Sequence, residues 1–454
     1  MNKILLFIFL LPTVLFSQIS WQSNLGAVRS YSSPRATDLN QDGTLDIVLG
    51  TGVDGFPSPY GAVAFDGQNG NTLWTMESTN EIFSSPIFLD HNADGVEDVI
   101  ISATGYTGSG GFELYIKNGD VYNHDPNDPI EIDYKKNFLG EPTGEDSPHL
   151  LKMKGDPQHN RTIVNGVPRI GHMKGGQAAR WIDEDMADDF LKEAQTYITT
   201  NKDKPFFLYY GLQQPHVPRT PHPRFVGATG MGPRGDVIAE ADWCVGELIK
   251  TLKKEGVLEN TLIFLSSDNG PVLDDGYEDD AIEKLGKHTP TGNLRGGKYS
   301  LYEAGTRVPF ITYWEGHIKP GVTTEIVSQV DWLSSLSNLI KQPVNNLDSE
   351  NHLDLLLGKS VKGRSDIILE ATSRTAYRQG DWALIPPYPG PKMFLTKGIE
   401  TGNGNEFQLY NLADDISQQN NLAEKMPEKR DEMMAAFISI VGDAYKRTSR
   451  LKFD

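Results

Sequence analysis

Cysteine is nearly absent from this 454-residue sequence, which contains only Cys244. A disulfide within the chain needs two cysteines, so the fold must be held by core packing and by any bound metal. Long apolar runs are also scarce. After the first residues, no segment reaches the roughly 20 apolar residues that a membrane-spanning helix needs. The sequence therefore predicts no stable membrane span once a signal segment has been removed.

Basic residues are too few to balance the acidic ones. The chain has 42 Lys and Arg against 61 Asp and Glu, a formal net charge of -19. A field of this sign repels polyanions, which argues against nucleic acid as a partner. An anionic substrate must then be attracted by a local basic pocket, although an acidic composition often serves only solubility.

The N-terminus is the exception to the scarcity of apolar runs. A lysine at position 3 precedes an apolar run over residues 4–16. This pattern predicts a signal peptide over residues 1–18, with cleavage near Ser17 or Gln18. The alternative is an uncleaved membrane anchor, for which the run is short. Export without disulfides is typical of bacterial envelope or secreted proteins, so we expect a periplasmic or secreted location.

An internal repeat follows. Segments 38–46 and 90–98 lie 52 positions apart, and a Ser-Ser-Pro triplet precedes each. Oxygen-bearing side chains at alternate positions, with a glycine for the sharp turn, can wrap a Ca²⁺ ion. The alternative is a metal-free turn rich in Asp and Asn. The predicted Ca²⁺ ligands are Asp38, Asn40, Asp42 and Asp46 in the first copy and Asp90, Asn92, Asp94 and Asp98 in the second.

The repeats resemble FG-GAP-type β-propeller repeats. The apolar runs 47–49 and 99–101 predict strands, and residues 61–74 are similar to the outer part of a propeller blade. A propeller closes with about four to eight blades, so two copies cannot close one. We therefore expect residues 19–111 to form an incomplete Ca²⁺-binding β module without a catalytic constellation.

Beyond about residue 112, the pattern changes to helices that alternate with strands, which predicts an α/β layer architecture. Strands are predicted at residues 206–210, at 261–265 and from 310 onward. Apolar residues at helical spacing predict two amphipathic helices. They are Ala187, Phe190, Leu191, Ala194 and Ile198 in the first, and Ala241, Val245, Leu248, Ile249 and Leu252 in the second.

Polar side chains stand near the ends of these strands. His216 follows the first, Asp268 and Asn269 directly follow the second, and Lys298 stands in an Arg-Gly-Gly-Lys sequence before the third. Open α/β sheets bind ligands beyond the carboxyl ends of their strands, so this placement predicts a site. The alternatives are a loop cap for His216, a simple turn at 268–270 and a solvated Lys298.

Three segments together resemble the type I, formylglycine-dependent arylsulfatase family: residues 206–218, Ser-Asp-Asn-Gly at 267–270, and Arg-Gly-Gly-Lys at 295–298. The resemblance extends over about residues 112–430. It implies a truncated alkaline-phosphatase-like α/β domain over 112–345 that lacks its N-terminal segment. It also implies a small C-terminal α+β subdomain over 346–454.

The resemblance also implies a chemistry. The substrate would be a sulfate ester, for example on a sulfated polysaccharide, and Asp268 and Asn269 would bind one Ca²⁺. His216 and Lys298 would contact the sulfate oxygens or the leaving group, where negative charge develops.

The nucleophile is what the sequence lacks. In this family it is a formylglycine hydrate, made from Cys or Ser within Cys/Ser-x-Pro/Ala-x-Arg, and no segment of the chain has that spacing. Cys244 lacks the proline and the arginine, and its helical setting predicts a core residue. His172 and Lys174 do not match the family's Lys-x-His pair, and no early acidic pair completes the Ca²⁺ shell. We therefore predict that the chain is not a competent sulfatase by itself.

Two incomplete modules that meet near residues 104–115 suggest a fused or misassembled reading frame, which sequencing the genomic DNA across that region would test. Exposed strand faces and poor solubility are then expected. The competing function is a non-catalytic, calcium-dependent binding protein for sulfated glycans. A phosphatase or phosphonate hydrolase has less support, because it would need a two-metal site rich in carboxylates and histidines.

Overall fold

The computed structural model describes residues 35–51, 58–78, 87–89, 98–100, 116–117, 120–121, 131–133, 142–174, 181–342, 344, 348–372 and 374–442. The chain divides into two compact units. The N-terminal unit contains residues up to 147 together with 158–164 and 168–180, and the C-terminal unit contains 148–157, 165–167 and the chain from 181. Among the described residues, no helix combines the length and the apolarity that crossing a membrane requires.

The N-terminal unit contains a four-stranded antiparallel meander in the order β1-β2-β3-β4. Its core consists of Val48, Ala62, Val63 and Ala64, none of which is exposed. The strands predicted after the two Asp-rich turns are confirmed as β2 and β6. The strands are β1 Arg35–Thr37, β2 Asp46–Gly50, β3 Ser58–Phe65, β4 Thr72–Ser78, β5 Ile87–Leu89, β6 Asp98–Ile100, β7 Ile116–Lys117, β8 Asp120–Val121 and β9 Glu131–Asp133.

Short strands follow up to residue 174. They are β10 Lys154–Gly155, β11 Ile163–Val164, β12 Val167–Pro168 and β13 His172–Lys174. Strand β13 pairs antiparallel with β9, and β10 pairs antiparallel with β15, Tyr277–Glu278.

Two helices form in the C-terminal unit where apolar periodicity predicted them. The predicted apolar face is confirmed for the first helix and only in part for the second, where Leu252 is buried and the other four predicted residues are half-buried. Helix α1 is Met186–Asn201 and buries Ala187, Leu191, Ala194 and Ile198. Helix α2 is Gly232–Lys254. Residues three or four apart share a helix face. The apolar faces of the two helices meet where Ile198 of α1, Leu252 of α2 and Leu258 form one apolar cluster.

Two of the three predicted strands are confirmed. Strand β14 is Ile263–Ser266 and strand β16 is Phe310–Tyr313, and they pair antiparallel with Ser266 opposite Phe310. The polar sequence 267–270 thus starts directly at the end of β14. Between and after these strands lie the helices α3 Glu303–Thr306, α4 Trp332–Leu339 and α5 Leu353–Leu356.

The predicted strand at 206–210 is wrong, since this segment is irregular. Phe206 and Leu208 pack against the Ile198 cluster, whereas Phe207 and Tyr209 are 72% and 78% exposed. One side of the segment therefore packs on the helices, although the side chains on both sides are apolar or aromatic. A strand also needs ladder hydrogen bonds to a neighbour, and no described strand pairs with this segment.

The C-terminal part of the unit contains a second four-stranded antiparallel sheet in the order β17-β18-β19-β22. One face packs on helix α6, where Phe437 and Met433 contact the sheet residues Tyr377, Leu384 and Leu409. The strands and the helix are β17 Asp366–Ala371, β18 Arg374–Gln379, β19 Trp382–Ile385, β20 Met393–Phe394, β21 Ile399–Glu400, β22 Gln408–Asn411 and α6 Pro427–Val441.

A second apolar cluster connects this sheet to the predicted site. Leu301 and Tyr302, which closely follow Lys298 in the chain, are buried with Ala376, Ile385 and Tyr410. Fully burying one side chain of this size contributes about 1.5–3 kcal/mol. The sheet therefore anchors the segment that carries Lys298.

Candidate active site

A single buried arginine holds the loop that carries His216. Arg219 Nε donates to Pro215 O at 2.9 Å, while its Nη1 donates to Leu273 O at 2.9 Å and to Asp279 Oδ2 at 2.8 Å. The side chains of Arg219 and Asp279 are each only 2% exposed. The pair thus ties the exposed His216 loop to the chain that follows β14.

Glycines allow the loop that carries Lys298 to pack on the segment that follows β14. Lys298 N donates to Pro271 O at 3.0 Å, and a Cβ added at Gly297 would lie 2.5 Å from that carbonyl oxygen. A Cβ added at Gly270 would lie 1.7 Å from Ala304 O. No larger residue fits such approaches without a backbone shift. The glycines are therefore needed for contact between protein segments as well as for any ligand.

This packing brings His216 and Lys298 together. Lys298 Nζ lies 3.3 Å from His216 Nε2, although 82 positions separate the two residues. His216 Nδ1 lies 2.7 Å from Val217 O. A carbonyl oxygen only accepts and an ammonium group only donates, so the contacts assign the proton to Nδ1 and an accepting role to Nε2. The imidazole ring of His216 is therefore held on both sides.

Asp268 and Asn269 stand directly after β14. Asp268 is exposed, and its Oδ1 accepts the Asn269 backbone N–H at 2.9 Å. Asn269 Nδ2 donates to Gly270 O at 2.9 Å, which leaves the amide oxygen as the atom offered to a ligand. Gln329 Nε2 donates to Ser267 O at 2.7 Å and steadies this strand end.

These two side chains have the oxygen donors that Ca²⁺ prefers, but a Ca²⁺ shell needs about six to eight oxygens. In the described part of the chain, no three His, Cys, Asp or Glu side chains converge as metal ligands. The described residues therefore do not fit a complete Ca²⁺ site, and the roles of Asp268 and Asn269 in metal binding stay predictions.

Asp275 is a member of this cluster that the sequence reasoning missed. Its Oδ2 accepts from Lys298 Nζ at 3.0 Å, its Oδ1 accepts from Tyr299 OH at 3.1 Å, and Lys397 Nζ lies 3.6 Å from Oδ1. Burial by itself raises the pKa of Asp275, but the charge of Lys298, the hydrogen bond from Lys298 and the charge of Lys397 outweigh it and lower the pKa. The acidic pair at 274–275 was visible in the sequence, but nothing there linked it to Lys298.

Arg295 of the Arg-Gly-Gly-Lys sequence has a different role. Its Nε donates to Glu400 Oε2 at 2.8 Å, its Nη1 donates to Gln418 O at 2.7 Å, and the guanidinium lies 4.1 Å from the centre of the Tyr302 ring. The arginine thus fastens the loop to the C-terminal sheet region, while Lys298 faces His216.

The first Asp-rich turn of the N-terminal unit is closed by its own backbone. Asp38 accepts from the N–H groups of Asp42 and Gly43, and Asn40 Oδ1 accepts from Asp42 N. Asp46 is fully buried and accepts from Leu39 N and Gly67 N. These bonds are those of an Asx-rich turn, and the three carboxylates do not form a metal-ligand group among the described residues.

The second predicted Ca²⁺ loop lies largely outside the described residues. This holds for Asp90, Asn92 and Asp94, while Asp98 begins β6 and its side chain is not described. His172 and Lys174 lie in β13, also without described side chains.

Cys244 is a core residue, as its helical setting predicted. It is fully buried in α2. Burial raises the pKa of its thiol to about 11, so the thiol is protonated at neutral pH and is a poor nucleophile.

A carboxylate and an amide thus follow β14 directly, and a His–Lys contact joins two of the loops that follow helix α1 and strand β14. A sulfatase family model matches residues 95–341, more than half of the chain. The chain belongs to the sulfatase family, which confirms the predicted α/β class.

Individual relatives sharpen this assignment. An N-acetylgalactosamine-6-O-sulfatase of Bacteroides thetaiotaomicron is 46% identical over 331 residues, which are 72% of this chain and 65% of that protein. Human arylsulfatase A is 36% identical over 183 residues, 40% of this chain and 33% of that protein. The matched part therefore spans less than two thirds of the length of these relatives.

A solved structure from work on glycosaminoglycan metabolism by Bacteroides thetaiotaomicron superposes with a TM-score of 0.70 at 45% identity. The match covers 72% of this chain and 69% of that chain. The arrangement of the matched part is therefore a sulfatase fold.

Proposed function

We propose that this chain recognises the sulfate ester of a 6-O-sulfated amino sugar through Lys298 and His216. The observation that carries the proposal is the 3.3 Å contact of Lys298 Nζ with His216 Nε2. The ammonium of Lys298 supplies a cation, which the imidazole of His216 orients, in a chain whose net charge is -19. Local positive charge of this kind is what an anionic ester needs in order to bind.

The sugar class is taken from the Bacteroides relative, which is an N-acetylgalactosamine-6-O-sulfatase at 46% identity. Hydrolysis is a separate question, because sulfuryl transfer in this family uses a formylglycine. The sequence contains no Cys/Ser-x-Pro/Ala-x-Arg segment, and the buried thiol of Cys244 is held protonated. We therefore propose recognition without turnover by this chain alone.

In a binding role, each residue has a defined task. Lys298 donates N–H to a sulfate oxygen and neutralises part of its charge. His216, whose Nδ1 lies against Val217 O, keeps Nε2 as an acceptor for Lys298. Asp268 and Asn269 offer oxygen atoms toward a cation, for which the family's calcium chemistry is the precedent.

Calorimetry with the full chain tests recognition. Titration with N-acetylgalactosamine-6-sulfate should release heat, and titration with N-acetylgalactosamine should not. The variant Lys298→Met should lose the binding, whereas Lys319→Met, which changes a lysine outside the site, should retain it. If wild type releases no heat with either sugar, the proposal is wrong.

Turnover is tested with an aryl sulfate in the presence of Ca²⁺, together with mass spectrometry of the intact chain. We expect no aryl alcohol to be released and no mass change of the kind that formylglycine formation gives. If wild type hydrolyses the aryl sulfate and Lys298→Met does not, the chain is instead an active enzyme.

A second candidate function is calcium-dependent binding of sulfated glycans in which the N-terminal unit takes part. The feature that favours it is the four-stranded antiparallel meander with an Asp-rich turn between β1 and β2, since propeller blades are four-stranded sheets of this kind. Binding of a sulfated polysaccharide that requires Ca²⁺ and persists in Lys298→Met would favour this candidate. The signal peptide and an exported location remain proposals that N-terminal sequencing of the expressed chain would test.

A further inference from the structure

Asp275 is a buried carboxylate whose two oxygens are both occupied beside the His216–Lys298 pair. Its side chain is 8% exposed and the Lys298 side chain 12%. Lys298 Nζ contacts Oδ2 at 3.0 Å, and Tyr299 OH contacts Oδ1 at 3.1 Å. A buried carboxylate is costly unless it is paired and hydrogen-bonded, so its presence at this position calls for a role.

Lys298 and Tyr299 are consecutive residues, and both donate to the Asp275 carboxylate. An extended chain does not allow two consecutive side chains to do this. Successive side chains in an extended chain point to opposite sides. Tyr299 has a φ of +74°, a left-handed conformation that is rare for a residue with a bulky side chain. This backbone turns the Tyr299 hydroxyl and the Lys298 ammonium toward Asp275 together. Strained backbone of this kind is concentrated at functional sites.

The contacts also define the direction of the Lys298 ammonium. One of its three N–H groups points to Asp275 Oδ2 and a second to His216 Nε2. The third N–H is then the one available to a ligand. A lysine held on two sides loses little further side-chain freedom when it binds.

The electrostatic sign of Asp275 makes its role testable. A carboxylate beside an anion-binding lysine repels the anion, so Asp275 cannot promote binding by its charge. Lys397 Nζ, at 3.6 Å from Oδ1, offsets that charge, and it comes from the turn between β20 and β21. Any favourable effect of Asp275 on anion binding must therefore act through the geometry of Lys298.

We propose that Asp275 is a positioning residue, held by Tyr299 and Lys397, which orients Lys298 against His216 so that one N–H faces the sulfate ester. This rests on the proposed function for the identity of the ligand. The positioning itself concerns only contacts within the chain, and it is tested without a ligand as well.

The experiment compares Asp275→Asn with Asp274→Asn in the full chain. Both changes remove one negative charge. Among the described residues, however, the Asp274 side chain accepts only the Gly276 N–H, at 3.1 Å. Affinity for N-acetylgalactosamine-6-sulfate should fall about tenfold in Asp275→Asn, the scale of one charge-assisted hydrogen bond. It should change less than about twofold in Asp274→Asn, a charge change without a direct contact. Unchanged or tighter binding in Asp275→Asn would overturn the proposal, because a pure charge effect has that sign.

A spectroscopic readout separates positioning from stability. Long-range ¹H–¹⁵N correlation spectra, assigned with His216→Gln, report the protonated and accepting nitrogens of His216. The Nε2 resonance should move in Asp275→Asn and stay in place in Asp274→Asn, with thermal midpoints measured in parallel. Tyr299→Phe, which removes only the hydroxyl on Oδ1, should give a shift in the same direction and smaller.

The two proposals fail in different ways. If wild type does not bind the sulfated sugar, the proposed function fails, and the His216 resonance alone decides the positioning. If wild type binds and Asp275→Asn binds equally or more tightly, the positioning role is wrong. If Asp275→Asn is unfolded, Tyr299→Phe carries the same test.

Discussion

The two Asp-rich regions of the chain use their carboxylates in opposite ways. In the turn at 38–46, the carboxylates of Asp38 and Asp42 accept backbone N–H groups of the same turn. Around Asp275 and Asp279, the carboxylates accept from cationic side chains that come from other parts of the chain, 23 and 60 positions away. An acidic cluster in a sequence therefore does not reveal whether its carboxylates close a local turn or bind side chains from distant parts of the chain.

Breaking the long-range ion pair should give the largest effect on stability. In Arg219→Met, the buried Asp279 loses its cation, and breaking a buried pair in this way costs about 3–5 kcal/mol. Urea unfolding, followed by a signal from the C-terminal unit, should show this loss in the free energy of unfolding. Binding of the sulfated sugar should be lost as well. The exposed pair of Lys250 and Glu247 offers a matched control, since Lys250→Met should cost less than about 1 kcal/mol.

Disturbing the close backbone approach should come next. In Gly297→Ala, the new methyl group meets Pro271 O at 2.5 Å, and overpacking of this kind costs about 1–3 kcal/mol. Because Lys298 is the next residue, the affinity for N-acetylgalactosamine-6-sulfate should also fall. Gly246→Ala is the control: it lies within α2 with no atom within 4 Å of the added Cβ. That change should raise the free energy of unfolding by about 0.5–1 kcal/mol. Equal effects of the two changes would contradict the packing argument.

Acid should weaken the long-range cluster through Asp275. Its pKa in the folded chain is lowered, so the ionised carboxylate contributes stability above its unfolded pKa of about 3.9. That contribution is lost as the pH falls through the lower, folded pKa. The difference in unfolding free energy between wild type and Asp275→Asn should therefore be constant above about pH 5 and shrink below about pH 4. A difference that stays the same down to pH 3 would show that the carboxylate is not held by its cations.

Changing the local turn should have the smallest effect. Asp42 is exposed and accepts from Thr44 N at 2.7 Å, and asparagine can accept the same bond. In EDTA, Asp42→Asn should change the free energy of unfolding by less than about 0.5 kcal/mol. The calcium-loop hypothesis makes a further demand: CaCl₂ should raise the thermal midpoint of wild type more than that of the variant. Equal midpoints with and without CaCl₂ would leave the turn as a metal-free structure.

The strand predicted at 206–210 does not form, which shows what a local sequence pattern cannot predict. Phe206 and Leu208 are half-buried against the helices, whereas Phe207 and Tyr209 are exposed. A short apolar run of this kind indicates a buried strand. It does not supply the neighbouring strand whose N–H and C=O groups complete a ladder.

The sequence by itself determined the two amphipathic helices, the strands at 263–266 and 310–313, the core position of Cys244 and the motifs that carry the family resemblance. These depend on periodicity and on residue type at fixed short spacing, which the chain contains wherever it folds. Only the tertiary structure decided that Lys298 meets His216, that Asp275 holds Lys298, and that Arg295 belongs to the scaffold. Such contacts join residues 23 to 123 positions apart, and they form because glycines and a buried arginine let separate segments approach, which no local pattern encodes.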